Sequence, residues 1–208
     1  MSILNMVYMN TAKIDIAYSS TVERVEEQLK STESSRRNDK TGGKLGLGKL
    51  LSVLGLNFEL TGELSEEGAR SREVIQRLFP AQRFQMVQKY AADHGKLLIL
   101  DEQALANDDF QSIEFDLAAV QSNFKVERYH ELVDHLLFMG RKSNWTIRLI
   151  ASAESLISDS MTERFLLLSR SARGVALEVI GVLVGVDSAN KLLDIDPMVM
   201  YYKGKAWL

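Results

Sequence analysis

The sequence predicts an α+β protein with a mixed or mostly antiparallel sheet and helices packed mainly on one face. Three observations lead there. Short segments alternate apolar and polar residues at period two, as in "LNFEL" (56–60) and "WTIRLIA" (145–151), the pattern of half-buried strands. Other segments place apolar residues at helical spacing. Strands and helices do not alternate strictly, and adjacent pairs of each occur, which favours α+β over a doubly wound α/β sheet. With 208 residues, 46% of them hydrophobic and 25% charged, the chain reads as a single domain over 1–208.

In chain order, Ile3 to Met9 is a short apolar strand. Asn10 can cap a short helix bearing Ile14, Ala17 and Tyr18, and Ser20 with Glu23 forms a capping box for a second helix bearing Val22, Val25 and Leu29. Residues 31–49, "STESSRRNDKTGGKLGLGK", lack periodicity and read as an exposed loop. After the strand at 56–60, a helix opens at Ser65 with Glu66 and Glu67 at its positive end, and Pro80 stops or kinks it. The next helix carries Phe84, Val87 and Ala91 and ends at His94-Gly95. "KLLIL" (96–100) is a buried strand, and "IEFDLAA" (113–119) alternates.

Tyr129, Leu132, Val133, Leu136 and Leu137 fall at i, i+3, i+4, i+7 and i+8, which predicts a helix closed by Gly140. Ser160 and Glu163 open a further helix over Met161, Phe165, Leu168 and Ala172, closed by Gly174. "VALEVIGVLVGV" (175–186) is apolar on both faces, as in a central strand. "PMVMYY" (197–202) reads as an edge strand because proline begins it.

Several function classes are limited by composition. The absence of cysteine removes thiolate metal sites, disulfides and cysteine nucleophiles. A formal net charge of −3 gives no whole-molecule attraction for nucleic acid, although a local basic patch is compatible with it. No apolar run approaches the roughly 20 residues that span a bilayer, and "MSILNMVYMN" carries no basic leader, so the cytoplasm is the expected compartment and no membrane partner is expected.

"TGGKLGLGKLL" (41–51) contains Gly43-x-x-x-x-Gly48-Lys49, the skeleton of a P-loop. No apolar residue precedes it to make a strand, and Leu50 stands where Ser or Thr should ligate magnesium, so the NTPase reading fails. What remains is a loop in which Arg36, Arg37, Lys40, Lys44 and Lys49, among four glycines, could wrap a phosphate through backbone N–H groups. "HELVDH" (130–135) holds one residue too many for a zinc helix. On the predicted helix, His130 and His135 would project about 140° apart, so no metal is expected. Asp101 and Glu102, at the end of a core strand, are the candidate catalytic pair if the protein is a magnesium-dependent phosphoester enzyme. Trp145, Tyr201, Tyr202 and Trp207 form a candidate partner surface, also usable for self-association.

The opening "MVYMNTAKIDIAYSS", the polar glycine-bearing insert, the late "VIGVLVGV" and the closing "PMVMYY" together resemble an uncharacterised family of bacterial proteins. Members begin hydrophobic-Tyr-hydrophobic-Asp; here Asn10 stands in place of the aspartate. The resemblance implies a bacterial or phage origin, with a setting among defence or mobile-element genes, and carries over neither an activity nor a functional residue. The resulting expectation is a cytoplasmic protein that acts by binding, without a cofactor, a partner protein or a phosphate-bearing small ligand such as a nucleotide messenger. The alternatives are the phosphoester enzyme and nucleic-acid binding through the basic loop, which the net charge disfavours.

Overall fold

Period-two alternation builds the strands of the sheet. In the computed structural model, which describes residues 2–36, 79–107, 115–158, 160–169 and 175–205, seven strands and four α-helices are present. The α+β class holds, with a mixed and mostly antiparallel sheet: only the β2–β3 and β5–β7 pairings introduced below are parallel. The chain divides into two compact units, Ala12–Asp93 and the combination of Met1–Thr11 with His94–Leu208. No helix among the described residues is long and apolar enough to cross a membrane.

In the first of these units lie helices α1 (Thr11–Arg36) and α2 (Pro80–Asp93). The two helices expected over 10–29 are one. Ser19 Oγ donates to the carbonyl of Asp15 at 2.9 Å and Thr21 Oγ1 to that of Ala17 at 2.8 Å. On either side of the expected cap Ser20, these hydroxyls bond back to the preceding turn, as Ser and Thr do within a continuous helix. The helix also runs through Arg36, taking in the first residues of the expected loop. Pro80 opens α2, as suits a residue with no N–H to offer, and the helix expected before it lies almost wholly outside the described residues. Phe79 N–H donates to Gln82 Oε1 at 3.0 Å, half of a capping box. Within this unit Arg83 pairs with Asp15 at 2.6 Å and lies 5.8 Å from the ring centroid of buried Tyr18. Burial pushes the Tyr18 phenol up to about 12 against the opposing pull of Arg83.

The larger unit contains strands β1 (Ser2–Met9), β2 (Leu97–Ile99), β3 (Leu117–Glu131), β4 (His135–Lys142), β5 (Trp145–Ser152), β6 (Val175–Asp187) and β7 (Leu192–Lys205). It also holds helices α3 (Glu102–Asn107) and α4 (Ser160–Ser169). Five strands close a ring. β3 pairs β4, β4 pairs β5, β5 pairs β7 in parallel, β7 pairs β6, and β6 returns to β3. β2 lengthens the ring beside β3, and β1 does so beside β7.

The ring encloses the hydrophobic core. Alternate residues point in, among them Phe124 and Val126 of β3, Phe138 of β4, Trp145, Ile147 and Leu149 of β5, and Leu193 and Ile195 of β7. Phe165 of α4 joins them, with its ring 5.4 Å from Phe138 and 6.0 Å from Tyr202. Two glycines make the closure possible. A Cβ on Gly140 would stand 2.2 Å from the carbonyl oxygen of Lys125, and one on Gly181 would stand 2.3 Å from that of Asp196. Both are places where a neighbouring backbone passes too close for any side chain.

The helix expected over 129–137 is a β-hairpin. Tyr129 pairs Phe138 and Glu131 pairs Leu136, while Leu132 N–H donates to the carbonyl of His135 across the turn. Leu132 and Val133, two members of the supposed helical stripe, sit at the exposed tip. Gly140 is a mid-strand residue and caps no helix. The expected edge strand 197–202 is also corrected, because β7 has neighbours on both sides. Pro197 falls between the stretch paired with β5 (Leu192–Ile195) and the stretch paired with β1 (Val199–Lys205). It also adjoins a bulge in β7, where Met198 is the extra residue between Val199 (opposite Ile180) and Pro197 (opposite Gly181), the kind of irregular place in a sheet that tolerates proline. The segments expected at 56–60 and 65–79 lie almost wholly outside the described residues.

Candidate functional site

The outward face of β3, β4 and β5 is built by alternation and one irregularity. In β4 and β5 every second residue is buried, so Leu137, Met139 and Arg141, and then Thr146, Arg148 and Ile150, face out. The ladders bring them into rows: Arg141 opposite Thr146, Met139 opposite Arg148, Leu137 opposite Ile150. β3 adds Lys125 opposite Arg141, Arg128 opposite Met139 and His130 opposite Leu137. Three half-buried apolar side chains therefore form a floor, with four cations around it.

The irregularity is a bulge in β3 between Val126 and Arg128. A regular strand would turn Glu127 and Arg128 to opposite faces; here both are exposed and both line one depression. That depression measures about 120 Å³ and is completed by Met139, Gly140, Arg141 and Thr146. Among the described residues, the side chains of Lys125, Glu127, Arg128 and Arg141 form no hydrogen bond or ion pair. Arg148, by contrast, is held by a two-pronged contact with Asp194 of β7, its Nε and Nη2 each 2.6 Å from a carboxylate oxygen. The hydrogen bond to Asp194 raises the Arg148 pKa, burial working against it.

Asp101 and Glu102 lie at the start of α3. Asp101 Oδ1 accepts from the N–H of Ala104 at 2.8 Å, which makes it the N-cap of that helix. Both carboxylates act on Lys142 of β4: burial lowers its pKa, and Asp101 and then Glu102 push it back up. Among the described residues, no group of three His, Asp or Glu side chains is placed to hold a metal ion. Asp101→Ala is expected to lower stability by about 1 kcal/mol through loss of the cap, measured by thermal or urea unfolding. A magnesium-dependent ligand response that the substitution abolishes without changing stability would instead support a catalytic role.

The expected aromatic surface divides. Trp145 is fully buried; its Nε1–H donates to the carbonyl of Leu105 at 2.8 Å, and Lys191 Nζ sits 4.7 Å from the ring centroid. Tyr202 is also buried, packed against Phe165. Both are core residues, because alternation on β5 and β7 turns them inward. Tyr201 is half-buried, its phenol raised first by burial and then by the charge of Glu178. Trp207 lies outside the described residues, as do Arg37, Lys40, Lys44 and Lys49, while Arg36 is the last residue of α1. The basic face that the structure does assemble is drawn from "FKVER" and "GRKSNWTIR", with Lys125 and Arg128 three residues apart on one face because of the bulge between them. Reading 129–137 as a helix separated those two segments.

No family model matches the chain, and no curated protein matches it. Among solved structures it is similar to a chain described as an aspartyl-tRNA synthetase from Leishmania major Friedlin, with TM-score 0.32 and 8% identity over 53% of this chain and 22% of that one. It is also similar to an aspartyl-tRNA synthetase from Entamoeba histolytica, with TM-score 0.29 and 10% identity over 45% of this chain and 20% of that one. The chain thus covers about a fifth of the length of either. At this similarity no function transfers.

Proposed function

We propose that the protein binds single-stranded nucleic acid on the outward face of β3, β4 and β5, without catalysis of its own. The ring of pairings, with α4 inserted between its third and fourth strands, follows the order of the five-stranded Greek-key OB barrel. In such barrels the face of the second and third strands, here β4 and β5, binds oligonucleotides or oligosaccharides. A shared fold is not a function, and the reading is carried by one observation about the residues. Lys125, Arg128 and Arg141, uncommitted to any partner among the described residues, surround an apolar floor of Leu137, Met139 and Ile150.

Cations attract the phosphate backbone and release its counterions, while apolar surface and guanidinium planes accept unstacked bases. The overall charge of −3 leaves room for this, because Lys125, Arg128, Arg141 and Arg148 form a local basic patch on one face.

Fluorescence anisotropy with short single-stranded DNA and RNA, matched duplex and a neutral oligosaccharide tests the reading. Single strands are expected to bind best, with log affinity falling against log salt at a slope of about −2 to −3, as three or four phosphate contacts require. A failure to bind single strands at low salt, or equal binding of the neutral sugar, would remove it.

A further inference from the structure

Resting on that reading, we infer that the depression lined by Glu127, Arg128 and Arg141 recognises guanine. The β3 bulge places a carboxylate in the middle of a face otherwise suited to an anionic ligand. For a surface that only tracks phosphates, Glu127 is a liability, since it repels the backbone. Its presence makes chemical sense if it meets hydrogen-bond donors, and the donors a nucleic acid offers are on its bases.

A carboxylate has two acceptor oxygens side by side. Guanine presents two adjacent donors, N1–H and the N2 amino group, which such a pair can accept together. Adenine, cytosine and uracil or thymine each present one donor group on that edge. On its other side guanine offers O6 and N7 as acceptors, the pair that arginine reads with two parallel bonds. The depression holds both complements at once: Glu127 for the donors, and Arg128 with Arg141 for the acceptors. Met139 supplies an apolar wall against the base and Thr146 lines the same space. None of the three charged groups is bonded to another residue among those described, so all three are available to a ligand.

The test uses the full chain and short oligothymidylates carrying one central guanine, adenine or cytosine, read by fluorescence anisotropy. The guanine probe is expected to bind about tenfold more tightly than the other two, the discrimination a good two-bond contact supplies. In Glu127→Gln that preference disappears, while affinity for plain oligothymidylate holds or rises because a negative charge has gone. The melting temperature, checked alongside, stays unchanged because Glu127 is exposed. Oligothymidylate binding without a guanine preference, a preference for cytosine, or a preference that survives Glu127→Gln would each overturn the guanine assignment and leave the binding face standing. A chain that binds none of the oligonucleotides would overturn both.

Discussion

Gly140→Ala is expected to cost about 3 kcal/mol of stability, or roughly 10 °C in melting midpoint. The new Cβ would stand 2.2 Å from the carbonyl oxygen of Lys125 and 2.8 Å from Cε2 of Phe124. The Phe124 ring could swing, but it is fully buried and has little space to do so. The Lys125 carbonyl belongs to the β3 backbone, which cannot retreat without opening the β3–β4 ladder at the point where Lys125 pairs Arg141 and Val126 pairs Gly140. Gly95→Ala is the matched control. Its φ of 65° makes a side chain unfavourable, but nothing lies within 4 Å of the new atom, so only backbone strain of about 1 kcal/mol applies. Equal losses for the two substitutions, by calorimetry or urea unfolding, would mean that close approach at Gly140 does not govern closure.

The double substitution Arg128→Glu with Arg141→Glu is expected to reduce affinity for single-stranded oligonucleotide by about a hundredfold or more at low salt. Two cations become anions within one depression, beside Glu127. The slope of log affinity against log salt should also flatten by about 1.4, the share of two phosphate contacts. Stability should hold, since both residues are exposed and neither side chain has a partner among the described residues. Lys89→Glu on α2, an exposed site paired with Asp93, repeats one of the charge changes away from the face and should leave affinity nearly unaltered. A hundredfold loss from Lys89→Glu as well would show that total charge, not the β3–β4–β5 face, controls binding.

Where local pattern and final environment agree, the sequence was readable. Trp145, Ile147 and Leu149 alternate and are buried as alternation requires, and residues 175–186, apolar on both faces, became a strand with partners on each side. His94-Gly95 ended a helix because Gly95 adopts the left-handed conformation that such an end favours. The 129–137 segment failed because it crosses a hairpin turn: Tyr129 on β3, Leu132 and Val133 at the tip, and Leu136 and Leu137 on β4 together imitate a helical stripe. Pro197 failed for a related reason: proline excludes a ladder N–H, but a bulge and a change of neighbour remove the need for one. The site was hidden more deeply. Contiguous charges such as those near residues 36–49 are conspicuous in a sequence, whereas a face assembled from three strands takes one residue in two from each. Only the pairing registers show that Lys125, Arg128, Arg141 and Arg148 are neighbours.

The ladder between β1 and β7 joins Ser2 to Lys205 and Met9 to Val199. On the ribosome, β1 emerges well before its mate and must wait until β7 has been made. The β5–β7 seam, which seals the cylinder, must wait for the same late arrival. Contacts between residues so distant in sequence slow folding, because the chain entropy must be lost before they form. Until β7 arrives, this polypeptide is an open sheet with bare rims, the state in which strand-rich chains are most prone to pair with one another.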